Sequence, residues 1–254
     1  MYLTSLELTQ INGAWWAHSA AHLGLICVIT IAFAVLGHLV RGVTRGGAIA
    51  GAVVCLALFA SVGPGAFAAL LSVFALTWLA TRIGLAGKQR MGTAERREGR
   101  AASQVLANIG IAALCAVFSA VLREPRLLLA MAASLSEAAA DTVSSECGQA
   151  FTGQARLITN FQIVPAGTDG GITVIGTLAG AFSALLVSLV CALAGLVSTQ
   201  EMLIAAFAGM LGMVMDSFLG AWFERRGWLG NDAVNFLSTA VAAVAGIACG
   251  HFAR

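Results

Sequence analysis

The sequence predicts an all-α, polytopic membrane protein of about eight transmembrane helices, and three observations predict it. Of its 254 residues 59% are hydrophobic and only 10% are charged, where a soluble domain carries about 25% charged residues. Mean hydropathy is +0.90. The apolar residues fall in runs near 20–40, 47–63, 65–81, 102–121, 127–146, 172–197, 202–221 and 233–250, most of them close to the roughly 20 residues a spanning helix needs. The same composition excludes a disordered chain. A net charge of +2 implies no basic face for nucleic acid. No linker interrupts the pattern, so residues 1–254 read as a single integral membrane domain.

Taken in order, Met1–His22 carries no basic segment, so a cleaved signal peptide is not expected. The second and third runs are short and meet at Gly63-Pro64-Gly65, the pattern of a tight helical hairpin. The fourth opens with Gln104 and Asn108, and the fifth carries Glu137, Asp141 and Glu146. The sixth opens with Thr173 and Thr177, the seventh carries Asp216 and Ser217, and the eighth opens with Asn231, Asp232 and Asn235. The 29 glycines suit closely packed transmembrane helices. The six cysteines form no CxxC pair and read as small core residues rather than a metal or disulfide framework. His18, His22, His38 and His251 read as interfacial residues.

Lys and Arg in short loops set orientation. Eleven of the fourteen fall on one set of alternate loops, from Arg41 and Arg45 through the Lys88–Arg100 stretch and Arg156 to Arg225 and Arg226. This predicts that those loops are cytoplasmic and both termini non-cytoplasmic. A single Lys among the basic residues and abundant Ala and Gly fit a GC-rich bacterial genome, hence a bacterial inner membrane.

With that orientation the polar groups of five helix ends gather at the cytoplasmic face. Acidic groups inside spans are costly and mark function. Glu137 and Asp141, four residues apart, share a helical face. Gly148 offers a helix stop, after which Glu146 would turn back toward Asp141. Asp216 sits well inside an apolar run, whereas Asp232 also suits an ordinary helix N-cap. Carboxylates among Ser, Thr and Asn are hard oxygen ligands and point to Mg2+. Between the fifth and sixth spans, Gly167-Thr168-Asp169-Gly170-Gly171-Ile172-Thr173 leads into a long helix whose N-terminus favours an anion. It lacks the Gly-Lys-Ser/Thr of a Walker A loop. The stretch with Lys88, Arg90, Arg96, Arg97 and Arg100 suits a phosphate clamp, or a topogenic loop at anionic headgroups.

Asp141-Thr-Val-Ser-Ser145-Glu146-Cys-Gly148 resembles the D-T-x-x-S-E-x-G motif of the membrane family called domain of unknown function 92. Arg156-Leu-Ile-Thr159, followed by Val164-Pro165 and the Gly167–Thr177 stretch, resembles that family's central block. Gln104 to Gly110, Asp216-Ser217 to Gly220 and Asn231-Asp232 to Thr239 match in order, so the resemblance spans about residues 40 to 250. Val143 stands where many relatives carry Trp. The family includes transmembrane protein 19 and plant phytyl-phosphate kinase. The resemblance implies transfer of a phosphoryl group from a nucleoside triphosphate, CTP favoured, to an isoprenyl monophosphate, giving a lipid diphosphate.

That chemistry suits the residues. Mg2+ on Asp141, Glu146 and Asp216 would bridge nucleotide phosphates. Asp232, Asn108 and Asn235 would orient ligands, and Ser145, Ser217 and Asn231 would add polar contacts. Arg156, Thr168, Gly170, Gly171 and Thr173 would hold phosphate oxygens. One or more of Lys88, Arg90, Arg97 and Arg100 would close over the leaving nucleotide. The expected partners are the lipid phosphate, the nucleotide and membrane lipids; a homo-oligomer is left open. The rival readings are an ion- or proton-coupled transporter, which Glu137 best supports, and a related lipid-phosphate cytidylyltransferase or phosphatase.

Overall fold

The computed structural model describes residues 20–95 and 97–252; His18, Arg96 and Arg254 lie outside them. The chain is helical, with helices α1 (Ala20–Leu39), α2 (Arg45–Val62), α3 (Pro64–Arg82), the short α4 (Leu85–Met91), α5 (Ala102–Leu122), α6 (Arg126–Phe151), α7 (Val174–Leu193), α8 (Thr199–Leu219) and α9 (Asn231–Phe252). All eight expected runs are helices. Seven are long and apolar enough to cross a membrane, α8 counted through Glu224, and α1 holds a shorter apolar stretch, Leu23–Leu39. Large apolar side chains such as Ile31, Val53, Val121, Phe182, Phe207 and Val244 are exposed on the outside, as a lipid-facing surface requires. The chain is an integral, multi-pass membrane protein.

The bundle is organised around α6. Its residues from Leu128 to Ala140 are buried without interruption, because Ala and Ser fill most of that stretch and let neighbours approach from every side. It packs against α3, α5, α7, α8 and α9. The packing is close at Gly212 of α8, where a Cβ would fall 2.5 Å from Glu137 Cγ and 2.9 Å from Ala242 Cβ. The hairpin of α2 and α3 forms as expected: Gly63 takes φ 100° and Pro64 starts α3, a position that costs proline no hydrogen bond.

Two features depart from the expectations. The segment before α7 is a small antiparallel sheet of β1 (Gln154–Leu157), β2 (Ile163–Pro165) and β3 (Gly171–Ile172) in the order β2-β1-β3. Arg156 pairs with Ile163 on one side and Ile172 on the other, so the Gly-rich turn is held across the end of the bundle. Second, α6 does not stop at Gly148 but runs to Phe151. Gly148 serves close packing instead, since a Cβ there would fall 2.8 Å from Thr173 Oγ1.

Candidate functional site

The sheet end of the bundle encloses a polar pocket of about 910 Å³, open to the outside. Four segments line it. α6 contributes Asp141, Ser144, Ser145, Gly148 and Gln149; the turn after β2 contributes Gly167 to Gly171; Thr173 starts α7; the end of α8 and the start of α9 add Asp216, Ser217, Gly220 and Asn231. Glu224, at the end of a π-helical turn spanning Gly220–Glu224, completes the lining. In a regular α-helix Glu224, eight residues past Asp216, would turn off its face. The wider π turn absorbs one residue and restores the alignment.

The centre of the pocket is acidic. The Asp141 and Asp216 carboxyls, from α6 and α8, line the pocket together and act on one another electrostatically. Ser238 of α9 places its hydroxyl 3.1 Å from Asp216 Oδ2 and 3.0 Å from Asn235 O. One turn deeper, Glu137 is 1% exposed and its Oε1 has no hydrogen-bond partner. At the rim, Asp169 is exposed as a residue; partial burial of its carboxyl raises it above the usual carboxylate range, and the Arg225 guanidinium pulls it back down. Among the described residues no Lys or Arg lines this pocket. Arg100 acts on Asp141 electrostatically from the side.

The hydroxyls around the pocket are held by local hydrogen bonds. Gly170 takes φ 74°, and a Cβ there would fall 2.5 Å from Ala221 Cβ and 2.7 Å from Ser217 O. Thr168 Oγ1 donates to Pro165 O at 2.7 Å. Thr173 Oγ1 accepts from Gly176 N at 3.0 Å and so caps α7 itself. Ser145 and Ser217 hydroxyls donate to carbonyls of their own helices, Thr142 O and Met213 O.

Other expected site residues lie elsewhere. Glu146 is not in the acidic pocket: because α6 continues, it faces Lys88, and the two form a buried ion pair. Lys88 is 0% exposed and its Nζ also donates to Thr81 O at 2.9 Å and Ala80 O at 3.3 Å, so it is neither a free phosphate clamp nor able to release Glu146 to a metal. Arg156 is exposed and donates from Nη1 to Phe161 O at 3.0 Å, outside the pocket. Arg90 and Arg97 are exposed and line none of the cavities described here. Asp232 sits in the first turn of α9 and off the pocket lining. Asn108 donates its amide to Gln104 O at 2.8 Å and Asn235 is buried in α9. Asp169, Glu224 and Gln149 are the additions. Asp169 was legible inside the Gly-rich block; Glu224 was hidden by the π turn.

Among the described residues no three His, Cys, Asp or Glu side chains converge as a ready metal cage. The Asp141–Asp216 pair still fits Mg2+, which takes one or two carboxylates and completes its shell with water and substrate phosphates. Two carboxyls sharing a pocket repel unless a cation or a proton lies between them.

Fold and site together define a polytopic helical membrane protein with an acidic, turn-covered pocket at one end of its bundle. The chain belongs to the integral membrane protein family DUF92, whose profile matches residues 28–243. It is 38% identical to an uncharacterized membrane protein of Methanocaldococcus jannaschii over 178 residues, 70% of this chain and 73% of the relative. It is 34% identical to an uncharacterized membrane protein of a Synechocystis species over 195 residues, 75% of this chain and 76% of the relative. To the Arabidopsis thaliana protein VTE6, chloroplastic, it is 27% identical over 257 residues, 96% of this chain and 74% of the relative. No solved structure matches it.

Proposed function

We propose that this protein is a lipid-phosphate kinase, transferring the γ-phosphoryl group of a nucleoside triphosphate, CTP favoured, to an isoprenyl monophosphate such as phytyl phosphate. The family resemblance supports the substrate class. The observation that carries the reading is the pairing of Asp141 and Asp216 beneath the Gly167–Gly171 turn, at an end of the bundle that lipid and nucleotide can both reach.

In the reaction an oxygen of the acceptor phosphate attacks the γ-phosphorus, the β–γ bridging bond breaks, and the nucleoside diphosphate leaves with the bond's electrons. The acceptor is already ionised near neutral pH, so no strong base is required. Positioning and charge neutralisation carry the rate. Asp141 and Asp216 would hold Mg2+, which supplies neutralisation of the nucleotide phosphates. Glu224 and Asp169, which line the same pocket, would add acceptors for water or substrate hydrogen bonds beside it. Ser238 fixes the Asp216 carboxylate, as a group behind a metal ligand commonly does. Arg100 offers a cation to phosphate at the edge of the acidic centre. The positive-inside pattern supports a cytoplasmic site in an inner membrane.

The test uses purified protein in detergent with magnesium, γ-labelled CTP and phytyl, geranylgeranyl and farnesyl monophosphates. Label is expected in the lipid phase and lost in Asp141→Asn. Transfer of CMP instead would make the protein a cytidylyltransferase. Absence of transfer from CTP, ATP, GTP and UTP by folded protein would overturn the kinase reading. It would favour ion or proton passage, for which the buried, unpartnered Glu137 Oε1 speaks.

A further inference from the structure

A second cavity lies beside the acidic pocket, on the other side of α6. It is a hollow between α1, α2, α3 and α5, open at one side. Its walls are apolar, with Phe33, Leu70, Val73, Phe74 and Ile109 among them. Its mouth at the sheet end is cationic: Arg41, Arg82 and Arg100 all line it, with Glu95 Oε2 3.8 Å from Arg100 Nε. Within one turn of α6, Ala138 faces this cavity and Asp141 faces the acidic pocket. Arg100 belongs to the mouth, and its charge is felt by Asp141 in the acidic pocket. A backbone bridge between Val43 and Arg100 ties the mouth together, with Thr44 N donating to Arg100 O and Arg100 N donating to Gly42 O, both at 3.0 Å.

We infer that this cavity seats the acceptor lipid, its hydrocarbon chain lying between α2, α3 and α5 and its phosphate on Arg41, Arg82 and Arg100. The assignment of the head group rests on the phosphoryl-transfer reading; the assignment of the chain rests on the cavity. An apolar hollow ending in three guanidinium groups matches a single-chain amphiphile with an anionic head. The Arg82 guanidinium lies 4.4 Å from the Trp78 ring centroid, and its Nη2 donates to Val40 O at 2.5 Å.

Gly51 of α2 lines the cavity, and a Cβ added there meets nothing within 4 Å. Gly51→Trp therefore fills the hollow without displacing backbone. The experiment photolabels the full chain in nanodiscs with a diazirine-bearing phytyl monophosphate and maps the adducts. Labelling is expected on α2, α3 and α5, competed by phytyl monophosphate but not by phytol or by the nanodisc phospholipid. Gly51→Trp should weaken it at least about tenfold, the equivalent of roughly two buried methylene groups, and Arg41→Gln should weaken it while phytol labelling is unmoved. Adducts confined to other helices, or competition by phospholipid as good as by phytyl phosphate, would overturn the assignment. The two readings fail separately. Specific labelling without phosphoryl transfer removes the kinase and keeps the lipid seat, and transfer without labelling here does the reverse.

Discussion

Replacing Lys88 by Met removes the ammonium that meets Glu146 inside the bundle. Lys88 has three N–H donors, and all are used: one on the Glu146 carboxylate, one on Thr81 O and one on Ala80 O. Both carbonyls lie in the last turn of α3, where a cation also meets the negative end of the helix dipole. The single substitution leaves Glu146 buried without its counter-charge, which costs about 3–5 kcal/mol. For a domain of this size that is a fall in Tm of roughly 6–20 °C. Adding Glu146→Leu removes the stranded charge and should restore most of the loss, less about 1 kcal/mol for each α3 carbonyl left without its donor. The assay is thermal unfolding in detergent of wild type, both single variants and the double variant. A Lys88→Met protein with unchanged Tm but no phosphoryl transfer would refute the reasoning and return Lys88 to the phosphates.

Further outcomes follow from the same geometry. Glu224→Gln should cut phosphoryl transfer at least tenfold with Tm unchanged, whereas Glu201→Gln at the far end of α8, in a capping box with Ser198, should spare activity; equal effects would remove Glu224 from the site. Gly212→Ala should destabilise by about 1–3 kcal/mol, because its Cβ falls 2.5 Å from Glu137 Cγ; unfolding measurements showing no loss would mean that α8 can retreat from α6. Asp232→Ser should cost less than about 1 kcal/mol and keep activity in the γ-label assay, since the residue lies in the first turn of α9. Inactive but folded Asp232→Ser protein would place that carboxylate back among the ligand groups.

Composition and periodicity alone determined the membrane class, the succession of long helices and the gathering of polar groups at one end. The reason is that burial in lipid is a per-residue property, readable wherever about 20 apolar residues stand together. Asp141, Asp216 and the Gly167–Thr173 turn were legible for a related reason: polar residues in apolar runs stand out against their neighbours. The fate of Glu146 was not. Its motif places it beside Ser145 and five residues from Asp141, and only the continuation of α6 to Phe151 turns it toward a lysine 58 positions away in sequence. Glu224 joined the pocket through a π turn, which shifts register by a single residue that periodicity reads as noise. The apolar cavity with its three arginines is likewise a product of packing, since Arg41, Arg82 and Arg100 lie in separate segments of the chain. Tertiary structure decided which charges meet, because ion pairs and ligand pockets are set by distances between elements far apart in the chain, and a linear pattern records none of those distances.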